Sequence, residues 1–475
     1  MSEKSAIKIV IAGASGFMGG LLLEALKADH SLIALGRSKS SVTSGPLPDG
    51  VEWRSCDLFS LLQTESAVQG AALGIYLVHS MLPRAKLTQS SFEDCDILLA
   101  DNFARAAQKA GITRIIYLSG LIPEGSTLSR HLESRREVER VLSSRGAQLT
   151  TLRSGLILGA RGSSFQMLYI LVKRLPVMIC PSWTRTRTQC IADSDVVELI
   201  QQCLEDPSTI GKTYDIGSPE IMSYQDLMKL LSQTMGKQRL FFSVPFFSPG
   251  LSRLWVQLIT GGSRNLVSPL VESLRHEMVT RDEALLTLRG KAMMGIGEAL
   301  RRALLGIQPS LRSATRERRR LLQGKPEVRS IQRFTLADPQ PASGIADEYF
   351  RWMPRFLAPL ILVRKDESDP ETWLFSIPFL RFPLLRLWRC RARSSEDRQL
   401  FYIRGGLLVA RNQSRNSRLE FRTVLDGHAC LAAIHEFKPA LPWLIYKYTQ
   451  ALVHLWVMNG FRKYLESSNY RRNQN

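Results

Sequence analysis

Three residues in the first third of the chain have types and spacings that could act on a carbonyl group. Ser119 closes the apolar run RIIYLSGL, His131 comes twelve residues later, and Arg135 lies four beyond it in HLESRREVE. A spacing of four puts His131 and Arg135 on one helix face. A fixed positive neighbour and burial both disfavour imidazolium, so the His131 pKa should fall below the usual value of about 6.5. A neutral imidazole is a poor acid, but it can donate a hydrogen bond to a carbonyl oxygen or act as a base. Ser119 could polarise the same oxygen, and Arg135 could bond the hydroxyl groups of a ligand. The plainer alternative is that His131 caps or orients a loop beside an idle site.

These residues need elements to hold them. Up to about residue 160, short apolar runs alternate with amphipathic stretches. IKIVIAG, LIALGRS, VEWRSCDL, LGIYLVHS, RIIYLSGL and QLTTLRSGLILG read as strands; ILLADNFARAAQKAG and EVERVLSSRG read as helices. Buried β-branched runs followed by helices predict an α/β, doubly wound parallel sheet covered on both faces. Residues 160 to about 305 are less regular and read as a substrate-side lobe, so that residues 1–310 form one domain with its core in 1–160.

The first strand runs into GASGFMGG, where Gly13, Gly16 and Gly19 space a G-x-x-G-x-x-G turn that opens a helix. Glycine tolerates the positive φ of a tight turn and lets a pyrophosphate approach the backbone. The N–H groups of the helix start then face the phosphates. Ser15, Phe17 and Met18 belong to the same cradle. The second strand ends in Gly36-Arg37-Ser38, where a site for NAD would carry an acidic residue. Arg37 and Ser38 suit a 2′-phosphate instead, which favours NADPH over NADH. Asp57 and Leu58 after the third strand should lie beside the adenine. Val78 and His79, at the carboxyl end of the fourth strand, should line the cofactor crevice.

Tyr169 and Lys173 form a literal YxxxK, but they come about fifty residues after Ser119 within SFQMLYILVKRL and read as core and surface. Seven scattered cysteines with no CxxC pair argue against a disulfide framework and predict no metal site. The 63 Lys and Arg against 43 Asp and Glu, net +20, favour anionic partners without choosing among a phosphorylated cofactor, an anionic membrane face and nucleic acid. With no nucleic-acid motif read, no nucleic-acid partner is expected. No apolar run reaches the length of about 20 residues that a membrane helix needs, and the N-terminal run is too short for a signal peptide. These features predict a cytoplasmic protein. The basic stretch LRSATRERRRLLQGKPEVRS, residues 311–330, reads as a linker able to hold the chain peripherally on the anionic inner face of a membrane.

From residue 331 to 475 the texture is α+β. RQLFYIRGGLLVA, RLEFRTVL and ACLAAIHEF read as consecutive antiparallel strands, with Asp426-Gly427 as a hairpin signal. LPWLIYKYTQALVHLWVMNGFRKYL reads as one long closing helix. Trp352, Trp373, Trp388, Trp443 and Trp456 either fill a core or line an apolar cavity under that helix. His435 and His454 read as structural histidines with no carboxylate at a legible spacing.

The Gly13–Gly19 loop, Asp57-Leu58 and Ser119-Gly120 resemble the atypical and extended short-chain dehydrogenase/reductases, including their NmrA-like relatives. YLVHS, YLSGL and His131–Arg135 resemble a bacterial subgroup of that superfamily. Its members commonly carry a C-terminal domain of unknown function, which EYFRWMPRFL, RQLFYIRGGLL and LEFRTVLDG also resemble. That C-terminal part is similar to helix-grip folds. The resemblance implies a Rossmann domain with NADPH as cofactor and, as activity, hydride transfer to a small or medium apolar carbonyl, quinone or enone. His131 and Arg135 stand where ordinary members have tyrosine and lysine. The alternatives are a non-catalytic NADPH-dependent sensor or assembly protein, and lipid or quinone binding by the C-terminal domain.

Overall fold

The computed structural model describes residues 6–37, 50–79, 87–125, 127–244, 257, 259, 272–307, 328–380 and 382–472. Ser38, Ser80 and residues 308–327, most of the stretch read as a linker, lie outside the described residues. Contacts divide the chain into two compact units, Met1–Leu82 with Leu99–Ser310, and Pro83–Leu98 with Leu311–Asn475. Among the described residues, no helix is long and apolar enough to cross a membrane.

The first unit is built on β1 (Lys8–Ala12), β2 (Ser31–Gly36), β3 (Val51–Ser55) and β4 (Leu73–Tyr76), then, past β5 (Leu87–Gln89) of the second unit, β6 (Arg114–Gly120), β7 (Gln148–Ser154) and β8 (Thr213–Ile216). Every neighbouring pair is parallel, in the order β8-β7-β6-β4-β1-β2-β3. This is the doubly wound sheet that the sequence predicts. Its strand order reverses between β1 and β4, which opens a crevice at their carboxyl ends. Alternation along the strands feeds both faces. Ile9, Ile11 and Ile75 pack with α1 (Phe17–Leu26) and α6 (Asp193–Glu205). On the other face Tyr76 meets Phe103 of α3 (Phe92–Ala110), ring centroids 5.2 Å apart. The short α2 (Leu61–Ala67) follows β3, and α4 (Arg130–Ser143) follows β6.

β8 corrects the sequence reading, because it comes from the stretch taken as an irregular lobe. Only TYDI signals it, too short to stand out. Asp215 at its end is gripped by Arg281, whose Nε and Nη2 donate at 2.8 and 3.1 Å. The rest of the lobe has its own core, in which α5 (Ser163–Arg174), α7 (Tyr224–Thr234) and α8 (Ile296–Leu305) bring together Phe165, Leu227, Ile296 and Leu300.

The second unit begins its main run with β9 (Val328–Thr335), which starts inside the expected linker, and α9 (Ala342–Leu357). Six strands follow as a meander: β10 (Leu362–Lys365), β11 (Thr372–Ser376), β12 (Leu385–Arg389), β13 (Arg398–Gly405), β14 (Arg418–Val424) and β15 (Ala429–Phe437). The sheet order is β10-β11-β12-β13-β14-β15-β9-β5. All pairs are antiparallel except β9 with β5. At the β14–β15 hairpin Leu425, Asp426 and Gly427 all take positive φ, so the Asp-Gly signal marks a real turn. The predicted closing helix is two helices, α10 (Trp443–Tyr448) and α11 (Gln450–Arg472). Thr449 leaves the helical region between them, at φ −127° and ψ −87°.

Candidate functional site

The glycine loop sits at the reversal of strand order. Gly13 has φ +91°, and a Cβ there would come within 3.1 Å of the Leu77 backbone at the end of β4. Gly16 N–H donates to the Gly13 carbonyl at 2.8 Å and closes the turn. A Cβ on Gly19 would lie 2.4 Å from the Gly13 oxygen, so glycine lets α1 run against the loop. α1 starts with Gly16 as its N-cap and no side chain caps it. Its first N–H groups are the kind that an anionic ligand satisfies. Gly16 is exposed and Ser15 partly so, while Met18 turns its side chain into the core and has only its backbone to offer a phosphate. Phe17 packs on Gly159 and Gly162, where a Cβ would strike the ring at 2.3 and 3.2 Å.

The other predicted cofactor residues line up along the carboxyl ends of neighbouring strands. Gly36 closes β2 under Trp53, whose indole fills the place of a Cβ. Arg37, next in the chain, is exposed. Asp57 accepts the Phe59 N–H at 3.3 Å, and the Leu58 carbonyl accepts the buried Asn102 amide at 2.7 Å. A helix on the opposite flank therefore fixes the loop after β3. Asn102 was missed in the sequence because it is one of several polar residues along an amphipathic helix, with no motif to single it out. Val78 is partly buried and His79 exposed just past β4.

At the end of β6, Ser119, Arg135 and a residue that sequence reasoning passed over are brought together. Ser119 Oγ donates to Glu139 Oε1 at 2.8 Å. Arg153 of β7 holds the same carboxylate through Nε at 3.1 Å and Nη2 at 2.6 Å. Arg135 Nη1 donates to the hydroxyl of Tyr117 at 3.3 Å, and both side chains are buried. His131, Arg135 and Glu139 recur every four residues along α4, whose N-cap Ser129 accepts the Leu132 N–H. Continuing the spacing of four by one step would have found Glu139. Burial first, then the charge of Arg135 and the neighbouring His79, hold the His131 imidazole well below its ordinary pKa. His131 is therefore neutral near pH 7. Tyr169 and Lys173 stay on α5, with the ammonium 5.2 Å from the ring centroid.

In the second unit the five tryptophans have mixed settings. Trp352 stacks on Phe356 at 4.3 Å and Trp373 on Phe350 at 4.7 Å, filling the space between sheet and helices. Trp388 lies under the Arg404 guanidinium at 3.6 Å. A cavity of about 790 Å³ opens beside it, lined by Tyr402, Arg393, Arg404 and Arg415. Its lining is arginine-rich, unlike the apolar cavity expected under the closing helix. His435 faces a carboxylate after all, since strand pairing sets its Nε2 3.9 Å from Glu420 Oε2. Burial would raise the Glu420 pKa, but Arg398, Arg422 and Arg418 outweigh it and hold the carboxylate well below its usual range. His435 itself is pushed well down, by burial first and by Arg418 next. His454 Nε2 lies 3.0 Å from Ser330 Oγ.

Relatives of this chain are partial matches. The auxiliary protein GraX of Staphylococcus aureus is 31% identical over 125 residues, 26% of this chain and 39% of that protein. Subunit 9 of the mitochondrial NADH dehydrogenase [ubiquinone] 1 alpha subcomplex of Arabidopsis thaliana is 24% identical over 254 residues, 52% of this chain and 62% of the subunit. The chain thus spans less than two thirds of either. Among solved structures, the NADPH-dependent quinone oxidoreductase QOR2 of Escherichia coli, complexed with NADPH, superposes with a TM-score of 0.50 at 20% identity. That match covers 62% of this chain and 98% of QOR2 and shows a shared fold. Residues 5–249 match the model of the NmrA-like family, and with the glycine turn at the switch point of a doubly wound sheet, the chain belongs to that family.

Proposed function

We propose that the first unit binds NADPH across the carboxyl ends of β1, β2 and β4, and that the chain is an oxidoreductase for a small or medium apolar carbonyl, quinone or enone. The carrying observation is the uncapped start of α1 above a turn that Gly13 and Gly19 keep clear of side chains. Exposed Arg37, with Ser38 beside it in sequence, takes the 2′-phosphate. Bound NADPH supplies the hydride. The chain's own residues orient the acceptor: His131, held neutral, offers an N–H to its oxygen, Ser119 adds a second donor once its hydroxyl turns from Glu139 toward the acceptor, and Arg135 fixes the ribose. QOR2, of the same fold, is an NADPH-dependent quinone oxidoreductase, which agrees with this substrate class.

A second reading is a non-catalytic NADPH-dependent sensor or assembly protein. It is favoured by the engagement of Ser119 with Glu139 and of Arg135 with Tyr117. We take the domains as residues 1–310, a basic connector at 311–330 and residues 331–475, with 83–98 joining the last. The strand, helix, six-strand and helix order of the last domain supports a helix-grip reading. Its aromatic filling favours a packed core over carriage of a lipid or quinone there. The cytoplasm is the proposed location.

The test sets NADPH affinity beside NADPH consumption with a panel of quinones and carbonyls. Turnover that falls in His131→Ala more than affinity does, and in Arg135→Ala together with affinity, supports the reductase. His131→Tyr should restore a proton donor and raise the rate. Tight binding without turnover on any acceptor supports the sensor, and loss of NADPH binding altogether removes both.

A further inference from the structure

The second unit has one end that is both apolar and basic. Strand register defines that end. Leu362 at the start of β10 pairs with Ser376 at the close of β11, and Arg386 at the start of β12 pairs with Gly405 at the close of β13. Arg418 opening β14 pairs with His435 near the close of β15. The α9–β10 connection, the β11–β12 and β13–β14 loops and the segment leading into α10 therefore all emerge together. Backbone bonds tie them to one another, from Leu407 N–H to the Pro383 carbonyl at 3.1 Å and from Ala440 N–H to the Leu408 carbonyl at 3.0 Å.

Large apolar side chains stand out from each of these segments. Phe379 is fully exposed, Leu360 is 74% exposed, Leu444 70% and Phe382 61%, and Leu407 and Trp456 are about half exposed. A bulky residue rarely adopts a positive φ, yet Phe379 has φ +68°. The backbone holds that ring outward at a conformational cost. Residues 355–365, 376–389, 403–411 and 438–456 together contain ten Lys and Arg and no Asp or Glu. Among them Arg355, Arg364, Lys365, Arg386, Arg404 and Lys447 are exposed. Apolar tips on several separate loops, ringed by cations in excess of the carboxylates that reach them (Asp347 on Arg389, Asp366 near Arg364 and Arg386), fit a flat surface with an anionic rim and an apolar interior.

We propose that the second unit docks on an anionic lipid bilayer through this end, with the rings of Phe379 and Phe382 in the acyl boundary and the surrounding cations at the headgroups. This is independent of the nucleotide reading and of the basic connector. It differs from a purely electrostatic attachment because the buried rings should resist screening.

The experiment is co-sedimentation of the full chain with vesicles of phosphatidylglycerol and phosphatidylcholine in equal parts, and with phosphatidylcholine alone. The chain should pellet with the anionic vesicles, and a measurable fraction should remain bound in about 1 M salt, where screening acts over about 3 Å. Phe379→Asp with Phe382→Asp should weaken binding about tenfold or more at both ionic strengths without lowering the melting temperature. Phe379→Gly, which removes the ring and suits the positive φ, should weaken it in the same direction. Arg364→Glu with Lys365→Glu should weaken binding at low salt only. Failure of the wild-type chain to pellet with anionic vesicles at low salt overturns the proposal. So does a double Phe variant that pellets like wild type. Concentration-dependent self-association that the Phe variants abolish, without vesicle binding, would make this end an interface between copies and also overturn it.

Discussion

Ser119 Oγ and Glu139 Oε1 are hydrogen-bonded at 2.8 Å, across the gap between the end of β6 and the third turn of α4. The carboxylate is the hub, since Arg153 holds both of its oxygens and Glu139 is only 8% exposed. Glu139→Ala should cost about 3 kcal/mol of unfolding free energy, because it strands the Arg153 charge in a mostly buried place. Ser119→Ala should cost about 1 kcal/mol, the worth of one hydrogen bond. Denaturant unfolding of the two variants checks the ranking. A Glu139→Ala protein as stable as wild type would show that the network does not hold the end of β6.

Arg37 is the most direct handle on cofactor choice. A charge-assisted bond to a 2′-phosphate contributes roughly 1.5–3 kcal/mol. Arg37→Ala should therefore weaken NADPH about ten- to a hundredfold and leave NADH nearly unchanged. Equal affinity of the wild-type chain for the two dinucleotides, measured by titration, would sink the assignment.

Acid should destabilise the chain earlier than carboxylate titration explains. Burial pushes His454 down to about 4, and His131 and His435 lie well below their ordinary value. Such a histidine is neutral when folded and charges when unfolded. Its contribution is fully present above about pH 6.5 and is lost as pH falls toward the folded pKa. Between about pH 6.5 and 5 each should contribute a slope of about 1.4 kcal/mol per pH unit. Glu420, held down by its arginines, acts in a lower window, below its unfolded value of 4.5. His454→Gln should flatten the stability profile above pH 5 by one such slope. A variant profile parallel to wild type would refute the account for that residue.

The parts of the fold legible in sequence are those with local signatures. Gly13 and Gly19 had to be glycine because of positive φ in one case and backbone crowding in the other, and their spacing states this directly. The first six parallel strands announced themselves as apolar runs. β8 and β5 did not, since TYDI is a short run of mixed polarity, unlike the apolar LGIY of β4, and LTQ has only three residues. Glu139 was hidden for a different reason. Its importance lies in Ser119 and Arg153, which α4 and the β6–β7 pairing bring to it from 20 and 14 residues away. His435 acquired Glu420 in the same way, through the register of β14 on β15. The break at Thr449 was illegible because both flanking segments keep a helical pattern.

The second unit should need residues from well before it in the chain. β5 adds to β9 in parallel, pairing Leu87 with Val328 and Gln89 with Ser330. Gln89 donates through Nε2 to the Ala451 carbonyl at 3.1 Å, and the Gln332 amide donates to the Gln89 carbonyl at 2.9 Å. Arg333 Nε meets Asp94 Oδ1 at 2.6 Å, with both side chains mostly buried. A fragment beginning near residue 326 loses all of these and leaves β9 as a bare edge with unpaired N–H and C=O groups. Arg333 would lose its carboxylate at the same time, a loss of about 1.5–3 kcal/mol for a hydrogen bond between charged groups. The fragment 326–475 should therefore melt earlier than the same fragment with residues 83–98 joined to it by a flexible linker, and it should be the more prone to aggregate. Asp94→Ala in the joined fragment should lower its stability in the same sense while leaving the edge strand in place. Identical melting of the two fragments would mean that residues 83–98 rest on the second unit without supporting it.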